Sequence, residues 1–223
     1  MAYRVDNIPL LLRPGFELWG NTAGISIYQL LVHQQRSMTL ELSDYEKLGN
    51  RPAIFVIWHE NLIPLFLSMR LMARHRNQIW MNHPLWYMKP VHVFLKRLGV
   101  NELCLGSTGH HGQQALHQLA ARLLATGAST SMAVDGPKGP PYHLRKGCIH
   151  LAMKTGYPII PLCFKISETS RIGFNWDRKF WPHRNAHMTV HVGEPLEVAP
   201  DADTEIMGEI LSTRLNAHQH STL

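Results

Sequence analysis

The stretch Val134-Asp135-Gly136-Pro137-Lys138-Gly139-Pro140-Pro141 places one acid and one cation on a loop of glycines and prolines. Residues 129–134 form a short run bounded by Gly127 and Gly136, the pattern of a buried strand entering a tight turn, so Asp135 stands at a strand's carboxyl end. Prolines fix φ and lack a donor, whereas glycines let backbone amides approach a ligand closely. The loop is therefore stiff and presents Lys138; a well-made surface turn has the same composition. His59 follows directly on the apolar run 53–58, AIFVIW. An imidazole held there suits a general base, since it titrates near neutral pH, and a strand-end histidine with a purely structural hydrogen bond would occupy the same position. Gly106-Ser107-Thr108-Gly109 precedes a strongly periodic helical segment, where amides and hydroxyls at the positive helix end bind phosphate or carboxylate, or where Ser107 or Thr108 simply caps the helix.

Other chemistries find less support. No G-x-x-x-x-G-K-[ST] loop is present, Ser107 and Ser131 lie in no G-x-S-x-G elbow, and Cys148 has no evident thiolate partner. Among 15 histidines the closest pairs, His110-His111 and His218-x-His220, lack further ligands at metal-binding spacing, so no metal site is read. Arg171, Arg178, Lys179 and Arg184 interleave with Phe174, Trp176, Phe180 and Trp181. Such a mixture tracks RNA, seats on an anionic bilayer, or belongs to a long connection whose aromatics cover a sheet edge. No nucleic-acid-binding module accompanies it, and nucleic acid is not read as a partner.

The elements that must position these residues alternate along the chain. Strands are expected at 53–58, 78–82, 102–105, 129–134, 159–166 and 188–192. Between and after them, helical spacing marks 62–73, 91–98, 116–124, 145–155 and 206–215, with Gly127 as a left-handed cap. This order implies βαβ units: a single α/β domain with a largely parallel sheet flanked by helices, whose ligand lies beyond the carboxyl ends of the strands. His59, Asn82-His83, Gly106-Ser107 and Asp135-Gly136 all fall there. Residues 1–50 read as an N-terminal helical segment whose apolar run is interrupted by Pro14-Gly15 and Gly20, either membrane-interfacial or packed on the core, and residues 51–223 as the α/β domain; 43–50 read as a polar loop.

At 223 residues the chain suits one such domain. A formal charge of +6 points to anionic partners, and 45% hydrophobic against 17% charged residues suits a surface that also makes apolar contacts. Three dispersed cysteines, Cys104, Cys148 and Cys163, without C-x-x-C spacing, argue for a reducing compartment. No run reaches the roughly 20 apolar residues of a membrane span, and no signal peptide is read, so a lipid-active protein of this sequence would lie on the bilayer from the cytoplasmic side.

In unbroken order over about residues 50–198, Trp58-His59, the G-S-x-x-x-x-G from Gly106 to Gly112, V-D-G-P-K-G-P at 134–140, K-G-C-I-H-L-A at 146–152 and G-Y-P-I-I-P-L at 156–162 resemble the lysophospholipid acyltransferase superfamily. Within it they resemble the bacterial branch that carries W-H and D-G-P-x-G-P in place of N-H-x-x-x-x-D and P-E-G-T. The resemblance implies a glycerophosphate-acyltransferase-like fold and transfer of an acyl chain from acyl-CoA or acyl carrier protein, as co-substrate without further cofactor, to a hydroxyl or amine of a lipid acceptor. It also implies a peripheral position on an anionic membrane surface, at the inner face of the cell membrane. His59 would be the base, with Glu60 or Asp135 orienting it, because Pro64 stands where the family's aspartate would be. Amides near Gly136 or Gly106 would hold the oxyanion, and the acceptor would be bound by Gly106, Ser107, Thr108, Gly136, Lys138, Gly139, Arg145 and Lys146. Trp86-Tyr87-Met88 and Leu105 replace the branch's aspartate-glycine and arginine, which implies an altered acceptor such as a sugar, an amine or a natural-product intermediate, or a binding protein on the same scaffold that lacks the chemistry.

Overall fold

A computed structural model describes residues 3–44, 49–73, 76–106, 112–173 and 176–217. Its strands are β1 (Thr39–Ser43), β2 (Ile54–Ile57), β3 (Gln78–Asn82), β4 (Val100–Leu105), β5 (Thr130–Ala133), β6 (Ile159–Ile166), β7 (Thr169–Ile172), β8 (Lys179–Pro182) and β9 (His187–Val192). Its α-helices are α1 (Arg13–Arg36), α2 (Leu62–Met72), α3 (Lys89–Leu98), α4 (Gly112–Thr126), α5 (Gly147–Thr155) and α6 (Thr204–Asn216).

The central strand β2 is buried at every residue, as a strand covered on both faces must be. The sheet runs β1-β9-β6-β2-β5. A parallel bridge between Gln78 and Ser129, with the Ile79 amide donating to the Ser129 carbonyl at 2.9 Å, continues it into the β3-β4 pair. Neighbours are parallel except β6 with β9, so the protein is a single α/β fold with a mostly parallel mixed sheet flanked by helices. Side chains alternate across a strand. Phe55 and Ile57 accordingly pack with Leu65, Met69, Phe94 and Leu95 of α2 and α3, while Ile54 and Val56 pack with Leu119, Leu123, Ile149 and Leu211 of α4, α5 and α6.

β3 and β6 span the residues that periodicity marks, and Gly127 takes the expected left-handed conformation (φ +65). α5 begins at Gly147 instead of residue 145, because the Arg145 amide donates to the Val134 carbonyl at 2.7 Å and holds the preceding residues in the loop. Three features differ from the sequence expectation more strongly. The apolar segment near the N-terminus is one helix of 24 residues, uninterrupted by Pro14 or Gly20. Pro14 sits in the first turn, where its missing N–H leaves no hydrogen bond unmade. Gly20 and Gly24 are where α3 touches: a Cβ at 20 would lie 2.2 Å from the Lys89 side chain, and one at 24 would lie 2.6 Å from Val93. Second, Thr39–Ser43 adds an edge strand, so residues before 51 contribute both a helix and a strand to the α/β fold. Third, the aromatic and basic connection after β6 contains the antiparallel hairpin β7-β8. Among the described residues no helix is long and apolar enough to cross a membrane.

Gly24→Val is expected to lower stability by about 2 kcal/mol or more, since a branched side chain must open the α1-α3 contact. Gly15→Ala, in a position with nothing within 4 Å, is expected to leave it unchanged or raised. Thermal denaturation of the two variants checks the pair; equal melting temperatures would show that α1 is not clamped at Gly24.

Candidate active site

His59 opens a single 3-10 turn, His59–Asn61, between β2 and α2. Two carboxylates from distant parts of the chain hold it. The Asp135 Oδ1 accepts the His59 main-chain N–H at 2.8 Å, and its Oδ2 accepts the Tyr142 N–H at 3.1 Å. β2 and β5 are parallel neighbours in register from Ile54 with Thr130, so residues 59 and 135 leave the sheet side by side. Asp135 is only 1% exposed; burial raises its carboxyl above the usual range, opposed by the two amides.

The imidazole has a different partner. The His59 Nδ1 lies 2.7 Å from Oδ2 of Asp177, which sits in the turn of the β7-β8 hairpin and is 5% exposed. The Lys179 ammonium pairs with the same Oδ2. Burial alone would raise the Asp177 carboxyl, but Lys179 and His59 hold it below the ordinary carboxylate range. An ionised Asp177 accepts only, so Nδ1 carries the proton and the lone pair is left on Nε2. Burial is the largest influence on His59 and lowers its pKa below the ordinary imidazole value, against the opposing pull of Asp177. At neutral pH the ring is thus an uncharged base.

The orienting carboxylate is therefore Asp177, in place of the expected Glu60 or Asp135. Asp135 orients the histidine's main chain. Glu60, also buried, accepts from the Tyr142 hydroxyl at 2.9 Å and from Arg171 Nη1 at 2.8 Å, which ties the hairpin to the start of α2. Nothing in local spacing joins residue 177 to residue 59, although an acid set between Trp176 and the cations Arg178 and Lys179 is a signal that charge reading of this connection could have used.

The glycine-proline loop packs against both groups. A Cβ on Gly136 would fall 2.7 Å from Cδ2 and 3.2 Å from Nε2 of His59, so this position admits only hydrogen beside the base. Gly139 has φ +66, and a Cβ there would meet the Trp176 ring at 2.7 Å. Trp176 donates its indole N–H to the Pro137 carbonyl at 3.2 Å and lies 5.1 Å from the His59 ring centre. Arg145 braces the loop by donating to the Gly139 carbonyl at 2.7 Å. Behind the base, Trp58 donates to Asn216 Oδ1 at 3.0 Å and meets Tyr142 edge-on. A cavity of about 200 Å³, lined by Glu60, Asp135, Tyr142, Arg171, Trp176 and Arg178 among others, opens between hairpin and loop.

The expected ligand-binding residues divide. Gly136 stands at the His59 ring and Gly139 at the Trp176 ring, with exposed Lys138 between them on the loop. Lys146 pairs with Glu205 of α6 and Arg145 is engaged by the loop. Gly106 follows β4, with β3 and β5 between it and β2, and its N–H donates to the Asn82 carbonyl at 2.9 Å. That amide is taken, so Gly106 supplies no oxyanion donor at His59. Ser107, Thr108, His110, His111, Phe174, His218 and His220 lie outside the described residues. Among the described residues no three His, Cys, Asp or Glu side chains group closely enough to hold a metal. Burial raises all three cysteine thiols, Cys148 to about 12 and Cys163 to about 11, and keeps them protonated. Asn82-His83 are braced by His92, whose Nε2 lies 3.1 Å from both Asn82 Oδ1 and the His83 carbonyl and whose burial lowers its pKa to about 4.

No protein-family model matches the chain. It is 28% identical over 154 residues to an uncharacterized protein of Rickettsia prowazekii (strain Madrid E), across 69% of this chain and 68% of that one.

Two titrations follow from these environments. In Asp177→Asn, the His59 pKa read by NMR is expected to fall further, because the charge and hydrogen bond that oppose burial are gone; an unchanged or raised value would break the pairing. His92 takes up its proton at about 4 when folded and near the ordinary imidazole value of 6.5 when unfolded. Its neutral form thus favours the fold fully above pH 6.5, and that contribution, up to about 3 kcal/mol, is lost as pH falls towards 4. His92→Gln should flatten this part of a stability-against-pH curve measured by urea denaturation.

Proposed function

We propose that this protein moves an acyl chain from a thioester, acyl-CoA or acyl carrier protein, to a hydroxyl or amine of a lysophospholipid, glycolipid or related lipid acceptor, as the acyltransferases it resembles do. It would work peripherally at the inner face of the cell membrane. The observation that carries the reading is the His59-Asp177 pair, which leaves an unprotonated Nε2 beside a glycine turn.

In this scheme Nε2 takes the acceptor's proton as the acceptor oxygen or nitrogen attacks the thioester carbonyl. The tetrahedral intermediate collapses as the C–S bond breaks, and the imidazolium returns the proton to the departing thiolate. Asp177 keeps the ring in the right tautomer and stabilises the transient imidazolium, and Gly136 leaves room for the reacting carbon next to Nε2. Main-chain amides of the same turn would supply the oxyanion donors. Arg171 and Arg178 in the cleft, with exposed Lys138 on the adjoining loop, would supply cations for a phosphate on the acceptor. A cavity of about 200 Å³ suits a headgroup, and the scheme uses no cofactor beyond the acyl donor.

Purified protein incubated with lipid extract and a panel of acyl-CoA and acyl carrier protein donors is expected to yield a new acylated species by mass spectrometry. His59→Ala should abolish it, and Asp177→Asn should lower kcat on the order of 10²- to 10⁴-fold. The wild-type rate should rise with pH to a plateau through an inflection below the ordinary imidazole pKa, and Asp177→Asn should move that inflection lower still. Undiminished product with His59→Ala removes the base from the mechanism. Bound lipid with no product from any donor returns the protein to a binding role.

A further inference from the structure

The single turn Leu10–Leu12 buries none of its residues: the three leucines are 75%, 95% and 53% exposed. Consecutive leucines at such exposure are an apolar knob without a partner inside the fold. At its base stand exposed Trp19 and, from the far side of β3, exposed Trp86 and Tyr87, with ring centres 5.5 Å apart for Trp19-Trp86 and 6.2 Å for Trp86-Tyr87.

The position of this knob follows from helix packing. Gly20 of α1 lies on Lys89, the first residue of α3, and Gly24 lies on Pro90 and Val93, so the two helices run in the same direction. The residues of α1 before Gly20 therefore extend ~10 Å past the start of α3, at 1.5 Å per residue. α3 starts just beyond the carboxyl end of β3. The overhang consequently projects from the sheet edge that carries His59 and Asp135.

We propose that Leu10–Leu12, with Trp19, Trp86 and Tyr87, insert into the headgroup and upper acyl region of an anionic bilayer, docking the protein by this knob with the His59 edge towards the lipid. This deepens the peripheral placement proposed above and rests on that reading only for the orientation of the site. A bilayer is the occupant for two reasons. The knob is convex, and a deformable lipid surface accepts a protruding apolar wedge without a matching socket. The chemistry is also that of an interface: Trp and Tyr prefer headgroup depth, exposed Arg13 follows the leucines directly, and a net charge of +6 draws the protein to anionic lipid. The body of α1 has a different role. Packed on α3 through Gly20 and Gly24, it holds the knob and does not lie in the membrane plane.

The test is flotation of the full chain with phosphatidylcholine vesicles, with and without phosphatidylglycerol. The wild type is expected to float, more so with phosphatidylglycerol. Leu10→Glu with Leu11→Glu should reduce the bound fraction about tenfold or more, because two inserted side chains are lost and two like charges gained. Leu124→Glu, at an exposed apolar position of α4, should float as the wild type does. Equal flotation of the Leu10/Leu11 double variant and the wild type overturns the proposal. So does a wild type that binds neither vesicle; if it is then a dimer that the double substitution dissociates, the leucines form a protein interface. His59→Ala should float normally, and the double variant should keep its acyl transfer to detergent-dispersed acceptor, so a failure of the docking and a failure of the reaction read out separately.

Discussion

The bond between His59 Nδ1 and the Asp177 carboxylate brings together a residue at the end of the central strand and one on a distant hairpin, at 2.7 Å. A carboxylate as buried as Asp177 is costly unless it is paired and hydrogen-bonded. His59 and Lys179 satisfy it, which fixes the hairpin turn over β2 as firmly as it fixes the imidazole. Asp135 solves the same problem with two main-chain amides, those of His59 and Tyr142. The histidine is thereby held at both its backbone and its ring by acids that would be unstable without it.

Steric constraints around this pair are as tight as the electrostatic ones. Gly136 faces the base, Gly139 faces Trp176, and a single added carbon at either position would fall within 2.7 Å of an aromatic ring. Trp176 in turn bonds the Pro137 carbonyl, and Arg171 bonds Glu60, so hairpin and loop close on each other from two sides. The glycine-proline loop thus packs directly against the His59 and Trp176 rings, with no side chain at Gly136 or Gly139.

The two halves of the helical cover do different work. α4, α5 and α6 seal one face of the sheet, and Asn216 at the end of α6 reaches Trp58 beneath the site. On the other face α1 packs on α3 and carries the exposed leucines that precede it beyond the sheet edge. Apolar side chains that a core helix would bury are thus displayed on the same edge as the base.

Much of the framework was legible in the sequence. The apolar run ending at His59, the periodic helices and the punctuating glycines are local signals, and local signals survive without tertiary context, which is why β3 and β6 coincide with the residues they were expected to span. Asp135 beside Gly136 was legible for the same reason. The continuity of α1 through Gly20 was not, because the glycine that looks like a break in sequence is a close approach in space. Asp177 was hidden more deeply: 118 residues separate it from His59, and only the strand order, with β6 beside β2 and the hairpin following β6, carries it back over the base. Sequence by itself determined which histidine is presented at a strand end and what loop faces it, since both depend on neighbours in the chain. Tertiary structure alone decided which acid holds its ring, because that choice depends on which buried charge the fold brings within hydrogen-bonding distance.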